Sequence, residues 1–387
     1  MAVDDTRRAL QDMARGYRAS LRNAEFIAIA GSVGKTTVKE MLADVLGARG
    51  PTARTIGNWN NNIGLPLSIL AMKPTDKFGV FEVGINSPGE MESLSAMVRP
   101  THGVMTRIGP AHLEFFEGVE QIADEKAKMF EALPVDGVAV QSSDDPWHRR
   151  MSRVADCRMI TVSMNHEAHY VGQTRGLEAG HFRVCERASG ETADFHIPAE
   201  GDFIVEDALL AIAFGRNHGM AWDELRQVVK NYKPLPMRWT HIDMGGIDVV
   251  NDAYNANPMS MRASLSAFSG MKADGRKWLV LGGMRELGGG EREEHIRLGG
   301  VVASGDWAGL ISTGTRAVWI ADGAENHGFH RDKIFCCDSP AEAAEWLERL
   351  VSPGDAVLLK GSRGERLEMV VDAWRRIKHP APPRNDG

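Results

Sequence analysis

The sequence predicts an α/β protein in which a P-loop domain with a parallel-rich sheet, flanked by helices, precedes a second, Rossmann-like α/β domain. Two observations predict this fold. Short apolar runs alternate with amphipathic stretches along most of the chain, which is the pattern of parallel strands joined by helices. The segment Lys233-Pro234-Leu235-Pro236 then interrupts the series, and a second series of apolar runs follows it, so a domain linker is predicted there.

The first apolar run, residues 26–30, leads directly into a phosphate-binding loop. Glycines let backbone N–H groups turn toward phosphate oxygens, Lys35 neutralises phosphate charge, and the Thr36 hydroxyl can bind Mg²⁺. Ile29 stands where the strict P-loop has its first glycine, so the loop has the shorter GxxGKT form. A glycine-rich turn that binds nothing is the alternative. The predicted loop comprises Gly31, Ser32, Val33, Gly34, Lys35, Thr36 and Thr37.

The remaining elements follow from the same alternation. A helical stretch is predicted over residues 205–231, and Asn257-Pro258 is typical of a helix start because proline fits the first helical position. Four prolines and glycines in residues 379–387 predict a disordered tail. Further strands are predicted at residues 78–83, 103–108, 137–140 and 159–162 in the first series, and at 247–250, 278–281, 318–321 and 356–359 in the second.

Composition excludes several classes of protein. The 387 residues are 43% hydrophobic, which is enough for two or three folded domains. The net charge is −7 and no Lys/Arg run is present, so phosphate affinity is local and no nucleic-acid partner is expected. No apolar run approaches the roughly 18 residues of a membrane span, and no signal-peptide pattern opens the sequence. We therefore expect a cytoplasmic protein without a membrane partner.

Two further polar side chains follow predicted strands of the first domain. Glu82 ends the strand at residues 78–83, and His112 follows the strand at 103–108. The carboxyl ends of parallel strands form the ligand edge of an open sheet, so both side chains are expected near the phosphate loop. Glu82 could then share a Mg²⁺ with Thr36. Taken alone, however, Glu82 would be a solvated carboxylate and His112 a structural histidine.

Several segments resemble, in the same order along the chain, segments of the Mur ligases, which are ATP-dependent amide-forming enzymes of peptidoglycan synthesis. The resemblance covers nearly the whole chain and is greatest for the branch that adds D-alanyl-D-alanine, the MurF type. The matching segments are residues 31–41 (the phosphate loop and first helix), 58–66 (N-x-N-N-x-I-G-x-P), 82–90 (E-x-G-x-N-H-P-G-E), 111–114 (A-H-L-E), 251–261 (D-D-S-Y-N-A-N-P-x-S-M), 281–288 (L-G-D-M-x-E-L-G) and 359–363 (V-K-G-S-R).

The resemblance implies a reaction in two steps. ATP phosphorylates a carboxylate, and an amine then attacks the acyl phosphate to give an amide, ADP and phosphate. It also implies that Lys35, Glu82, His112 and Lys126 are catalytic. Thr36 and Glu82 would hold one Mg²⁺, while His112 and a carbamylated Lys126 would hold a second. A surface lysine on a helix is the alternative for Lys126.

The resemblance also assigns residues of the second domain. Asp252 is expected at the ATP ribose and Arg238 at the phosphates, with Asn255 nearby, after closure of the C-terminal domain. The substrates are expected to be a small-molecule or peptide carboxylate and an amine, and the oligomeric state stays open. Predicted substrate contacts are Asn60, Asn61, Asn86, Asn257, Lys360, Ser362 and Arg363.

Domain boundaries follow from the same comparison. Residues 26–236 are expected to form the central ATP-binding domain and residues 237–378 the C-terminal domain. Residues 1–25 resemble the helical segment that joins the family's UDP-sugar-binding first domain to its P-loop domain, and we interpret them as a remnant of that missing domain. A UDP-linked sugar is therefore expected to bind weakly.

Several positions depart from the family pattern. Phe203, Ile204 and Asp207 replace the histidine and both asparagines of G-x-H-N-x-x-N-A, so we expect altered adenine contacts. Gly283 replaces the aspartate of L-G-D-M, and Ser142 replaces an asparagine, so we expect an altered acceptor site. Ser87 stands where the family usually has histidine.

Two alternatives to a MurF-type ligase stay open at this point. One is a stand-alone ligase that joins a carboxylate without a UDP group to an amino acid. The other is a non-catalytic ATP-binding homologue, although a scaffold would not need the second metal site implied by His112 and Lys126.

Overall fold

The computed structural model describes residues 2–378, so the tail predicted at 379–387 lies outside the described residues. The chain forms two compact units, of which the first ends at Lys233 and the second begins at Pro234. No helix within residues 2–378 is both long and apolar enough to cross a membrane.

The first unit is built on a nine-stranded sheet with the strand order β2-β3-β1-β4-β5-β6-β7-β8-β9. Every neighbouring pair is parallel up to β7, and β8 and β9 extend the sheet as antiparallel strands. The elements are α1 (Thr6–Ser20), β1 (Glu25–Ala30), α2 (Lys35–Gly47), β2 (Thr52–Arg54), α3 (Gly64–Leu70), β3 (Phe78–Glu82), α4 (Glu90–Val98), β4 (His102–Met105), α5 (Val119–Glu131), β5 (Val138–Ser142), α6 (His148–Val154), β6 (Arg158–Ser163), β7 (Tyr170–Gln173), β8 (His181–Glu186), β9 (Thr192–His196), α7 (Asp202–Asn217) and α8 (Trp222–Lys230).

Strand β1 shows why the sheet is covered on both faces. Ile27 and Ile29 lie in the core on the face covered by α2 and α7, whereas Phe26 and Ala28 lie in a separate core on the opposite face. Successive side chains of a strand point to opposite faces, so a strand buried on both faces is a continuous apolar run. This burial fixes β1 in the sheet, and β1 leads into the phosphate loop.

The second unit contains a six-stranded sheet with the order β10-β11-β15-β12-β13-β14. Strands β10 and β11 are antiparallel, and the other neighbouring pairs are parallel. The elements are β10 (Thr240–Asp243), β11 (Asp248–Asn251), α9 (Pro258–Gly270), β12 (Lys277–Gly282), α10 (Glu291–Ala303), β13 (Gly309–Thr313), α11 (Val318–Asn326), β14 (Ile334–Cys337), α12 (Pro340–Leu350), β15 (Ala356–Lys360) and α13 (Glu368–Lys378), with short 3₁₀ helices at Gly288–Gly290, Arg331–Lys333 and Arg363–Glu365.

The structure confirms the predicted fold class and corrects two elements. Residues 318–321, predicted as a strand, begin helix α11, because Ile320 and Ala324 recur at helical spacing on a buried face. The strand of this region is β13, which precedes the helix. The helical stretch predicted at 205–231 is two helices, α7 and α8, since Gly219 adopts φ 74° in the turn between them.

Three titratable side chains meet at the amino ends of β1 and β4, opposite the phosphate loop. A Glu25 carboxylate oxygen lies 3.1 Å from Nε2 of both His102 and His218. The Val138 N–H donates to Nδ1 of His102, so Nε2 of that ring carries a proton and donates to Glu25. The groups are close enough for a metal ion, yet His102 in this tautomer has no lone pair left to offer one. Hydrogen bonds from His102 and His218 lower the pKa of Glu25 to about 2.

We expect Glu25→Gln to lower the free energy of unfolding at neutral pH. A carboxyl whose folded pKa is depressed stabilises the fold above its unfolded pKa of 4.5 and loses that contribution as the pH falls toward about 2. The difference between wild type and variant should therefore be full at pH 7 and shrink below pH 4.5. Urea unfolding across this range measures it, with the exposed Glu178→Gln as control. An equal difference at pH 7 and pH 2 would contradict the assignment.

Candidate active site

The phosphate loop begins where β1 ends and closes where α2 begins, and its conformation requires glycine at two positions. Gly31 and Gly34 adopt φ values of 146° and 87°, which other residues rarely adopt. Space is also limiting, because a Cβ on Gly31 would lie 1.9 Å from the Thr106 hydroxyl oxygen. A Cβ on Gly34 would lie 2.4 Å from a carboxylate oxygen of Asp207. The two glycines therefore allow neighbouring segments to approach the loop closely.

Arg107, which follows β4, fixes the phosphate loop through backbone hydrogen bonds. Its carbonyl oxygen accepts hydrogen bonds from the backbone N–H groups of Ser32 and Val33, at 2.7 and 3.3 Å. Its guanidinium donates from Nε to Glu206 of α7, at 2.8 Å. Lys35 crosses the loop and donates from Nζ to the Gly31 carbonyl at 3.0 Å. A rigid loop with a lysine across it suits a phosphate group.

Thr36 and Glu82 are brought together as predicted. The Thr36 hydroxyl donates to one carboxylate oxygen of Glu82 at 2.9 Å, and the Asn60 side-chain amide donates to the other at 2.7 Å. Glu82 is buried, and its position follows from the parallel pairing of β1 with β3, whose carboxyl ends lie side by side. A hydroxyl and a carboxylate at this distance are hard oxygen donors of the type that Mg²⁺ prefers.

Lys126 lies in the interior, so the alternative of a surface lysine is wrong. Its side chain is 2% exposed and makes no hydrogen bond or ion pair within the part of the chain that the structure describes. Burial lowers the pKa of Lys126 well below its ordinary range and the nearby Lys35 lowers it further, while Glu125 and Glu82 oppose the shift. A buried lysine whose charged form is disfavoured in this way is a candidate functional group.

The neighbouring Glu125 anchors α5 to the segment after β3. One of its carboxylate oxygens accepts from the Met91 N–H at 2.9 Å, and the other accepts from Lys128 at 2.7 Å. In the same segment, Glu90 accepts from the backbone N–H groups of Asn86 and Ser87, at 2.7 and 3.2 Å. The predicted substrate residue Asn86 thus lies on a loop fixed at both ends.

His112 follows β4 on the same sheet edge, in the left-handed conformation with φ 56°. A left-handed histidine is uncommon, and His112 is half-buried.

The predicted substrate residue Asn61 has a local structural role. Its side-chain oxygen accepts from the Ile63 and Gly64 N–H groups, at 3.1 and 2.9 Å, where α3 begins.

In the second unit, buried contacts join the predicted residues of three segments. Lys360 is 3% exposed and donates to the Asp252 carboxylate at 2.6 Å. The Ser362 hydroxyl donates to the Ala256 carbonyl at 3.2 Å. These contacts connect the ends of β11 and β15 to the loop before α9, so the assigned residues lie at one edge of the second sheet.

Other predicted residues of the second unit have partners within that unit. The Arg238 guanidinium lies over the Tyr254 ring at 4.0 Å, and the Asn255 carbonyl accepts from Lys360 at 3.3 Å. Asn257 caps α9, since its side-chain oxygen accepts from the Ser260 N–H at 2.8 Å. Arg363 donates to Glu368 at 2.5 Å.

Sequence reasoning missed two residues that shape this site. Arg107 is one of them, because it falls inside the run predicted as a strand, residues 103–108, whereas strand β4 ends at Met105. Glu125 is the second, since nothing in the local sequence pattern distinguishes a buried carboxylate from a solvated one.

Comparison with known proteins then decides the family. The family profile described as "Mur ligase middle domain" matches residues 29–215, and "Mur ligase, glutamate ligase domain" matches residues 237–363. A UDP-N-acetylmuramoyl-tripeptide–D-alanyl-D-alanine ligase of Bacillus subtilis is 34% identical over 95% of this chain and 79% of its own length. The chain belongs to the Mur ligase family.

Other similar proteins agree with this family. The Escherichia coli ligase of the same name is 29% identical to this Mur ligase over 96% of the chain and 81% of its own length. A crystal structure of MurF from Acinetobacter baumannii matches with a TM-score of 0.88 and 26% identity, covering 97% of this chain and 82% of that one. MurF from Thermotoga maritima in complex with ADP matches with a TM-score of 0.86 and 26% identity, covering 98% and 86%. The predicted family and its ATP-dependent ligase chemistry are confirmed.

We expect Lys35→Ala to reduce ATP hydrolysis and ligation by this Mur ligase by at least about 10²-fold, because phosphoryl transfer depends on positioning and charge stabilisation. Initial rates of ADP formation test this, with the exposed Lys73→Ala as control. Near wild-type turnover of Lys35→Ala would contradict the assignment of this loop to the catalytic site.

Proposed function

We propose that this Mur ligase joins D-alanyl-D-alanine to the carboxyl group of a muramoyl-tripeptide through an acyl phosphate, in the synthesis of peptidoglycan precursors. The named substrates of its relatives support this choice. The observation that carries the catalytic part is Lys126, which is buried close to Lys35 of the phosphate loop and makes no hydrogen bond or ion pair among the described residues. A non-catalytic scaffold has no use for such a costly group.

The chain's own residues would act in two steps. A carboxylate oxygen of the donor attacks the γ-phosphorus of ATP, and ADP leaves while Lys35 and the loop N–H groups stabilise the phosphate charge. The acceptor amine then attacks the acyl carbon, loses a proton, and expels inorganic phosphate. Both steps concentrate negative charge at the carboxyl edge of the first sheet, which explains the need for cations there.

Magnesium fits the first of these cation positions. Thr36 and Glu82 would hold the ion, since their oxygens lie 2.9 Å apart and Asn60 fixes the carboxylate from its other side. When bound, Mg²⁺ would neutralise phosphate charge and orient the γ-phosphate for attack.

Lys126 would complete a second position after reacting with CO₂. A neutral amine nitrogen attacks CO₂, the amine loses one proton, and the product is an anionic carbamate with two oxygens. The burial that lowers the Lys126 pKa favours the neutral amine that this reaction requires. Together with His112, the carbamate would hold a second Mg²⁺, which would supply positive charge where the carboxylate and phosphate react.

The remaining assignments complete the proposal. Arg238, Asp252 and Asn255 are proposed ATP contacts in the second unit. The proposed substrate contacts are Asn60, Asn61, Asn86, Asn257, Lys360, Ser362 and Arg363. The cytoplasm is the proposed location, because ATP and small-molecule precursors are supplied there.

A coupled assay tests the proposed reaction. The protein is incubated with ATP, Mg²⁺, D-alanyl-D-alanine and either the UDP-linked tripeptide or the free tripeptide, and phosphate release and product mass are measured. We expect phosphate release that requires both substrates, with a product of the donor-plus-dipeptide mass. The KM for the UDP-linked donor tests whether a UDP-sugar binds weakly. Product formation with other carboxylates or amines only would overturn the substrate assignment.

We expect Lys126→Ala to reduce ligation by at least about 10²-fold while ADP binding through Lys35 and Thr36 stays close to wild type. His112→Ala should reduce ligation to a similar extent. The double variant should ligate little more slowly than either single variant, because both residues are proposed to hold the same ion. Added short carboxylates should partly restore the ligation activity of Lys126→Ala, because they can fill the vacant ligand position.

Two further measurements separate a carbamate from a merely buried lysine. Labelled bicarbonate should give a carbamate carbon signal in the wild-type protein that Lys126→Ala lacks, and removing CO₂ should lower wild-type activity. Full ligation activity of Lys126→Ala would contradict the proposal of a second Mg²⁺ position.

A further inference from the structure

Lys39 is a fully buried lysine of helix α2 that the two proposed reaction steps do not use. It lies one helical turn after Thr36, and its Nζ is 2.7 Å from a carboxylate oxygen of Glu40. The same nitrogen donates to the carbonyl oxygens of Thr55 and Gly57, at 3.0 and 3.1 Å. An ammonium group has three N–H donors, and these three acceptors satisfy them. A buried charge is costly unless it is paired in this way.

The segment that Lys39 holds, residues 55–60, begins at the buried side chain of Thr55. The Thr55 N–H donates to the Val80 carbonyl at 3.0 Å. Its hydroxyl oxygen accepts from the N–H of Glu82 at 2.8 Å, so both hydrogen bonds are made with strand β3. The Thr55 side chain thus fixes the backbone of the residue whose carboxylate is proposed to hold Mg²⁺.

The segment ends at Asn60, which contacts the same strand end. The Asn60 carbonyl accepts from the Gly84 N–H at 2.9 Å, and its side-chain amide donates to one carboxylate oxygen of Glu82 at 2.7 Å. A Cβ on Gly84 would lie 2.7 Å from the Asn60 Cγ, so the two segments pack closely. Thr55 therefore fixes the N–H of Glu82, and Asn60 fixes its carboxylate. Lys39 connects the segment that carries both contacts to helix α2.

We propose that Lys39 is a positioning residue for the Mg²⁺ site of Thr36 and Glu82. The inference rests on the proposed function, in which these two side chains hold the ion. Thr36 belongs to α2 and Glu82 to β3, so the distance between their oxygens depends on the contacts that join these two elements. Lys39 makes such a contact through the segment at residues 55–60. Groups that lie behind metal ligands orient the ligands and tune the affinity for the metal.

Lys39→Met tests this role, because methionine keeps a chain of similar length without the ammonium group. Binding of AMPPCP, a non-hydrolysable ATP analogue, is measured by calorimetry with Mg²⁺ and with EDTA, and the ratio of the two Kd values reports the contribution of Mg²⁺. Mg²⁺ should strengthen binding to the wild type, and Lys39→Met should reduce this strengthening about tenfold or more. Binding in EDTA should change little, because Lys35 and the loop N–H groups are retained.

Ligation rates give a second measurement that a loss of stability alone would not reproduce. The Mg²⁺ concentration that gives half the maximal rate should rise in Lys39→Met, because the ion binds less tightly. At saturating Mg²⁺, kcat should return close to the wild-type value, since Lys39 itself does not contact the reacting atoms.

Thr55→Val keeps the proposal testable if Lys39→Met fails to fold. Valine has the shape of threonine but cannot accept from the Glu82 N–H, so we expect the same weakening of Mg²⁺ binding. Thr55→Ser keeps the hydroxyl and should bind Mg²⁺ like the wild type. The matched control is Thr101→Val, at the opposite edge of the same sheet, where the Thr101 hydroxyl accepts from the Phe26 N–H at 2.9 Å. It should lower stability without changing the effect of Mg²⁺.

The outcomes distinguish this inference from the proposed function. Glu82→Gln should abolish the effect of Mg²⁺ on AMPPCP binding. If it does so while Lys39→Met, or Thr55→Val where Lys39→Met does not fold, leaves that effect unchanged, the role of Lys39 is overturned and the metal site stands. If Mg²⁺ does not change AMPPCP binding to the wild type, the metal site of the proposed function is overturned, and this inference with it.

Discussion

The parallel pairing of β1 with both β3 and β4 is the constraint on which the candidate active site depends. Because these strands run in the same direction, their carboxyl ends bring the phosphate loop, Glu82 and the segment of His112 to one edge. The pairing in turn depends on the burial of β1 on both faces. Substitutions in this apolar strand would therefore affect chemistry through position rather than through contact with substrate.

Much of this arrangement could be predicted because its signals are local. The phosphate loop needs glycines in strained conformations and a Lys-Thr pair at the start of a helix, so few other sequences fit it. Glu82 could be placed near Thr36 by one rule about parallel sheets, and the structure brings the two side chains within hydrogen-bonding distance. The Asn257 cap of α9 is equally local.

Other features depend on contacts between distant segments and could not be predicted. Periodicity favours a helix for the residues around Lys126, but burial of that side chain follows from packing against other elements. A short apolar run such as residues 318–321 is compatible with a strand or a buried helix, and tertiary packing decided for the helix. The strands β8 and β9 were missed because a half-exposed hairpin alternates polar and apolar residues over only five or six positions.

The close approach of two loops in the second unit couples the residues at positions 283 and 316. A Cβ at position 283 would lie 2.5 Å from the Cβ of Arg316, an atom that every residue except glycine carries. Any side chain at 283 therefore requires the loop after β12 or the loop after β13 to shift, whichever residue stands at 316. The residue type allowed at 283 thus depends on the spacing of two backbone segments rather than on the charge of the neighbouring side chain.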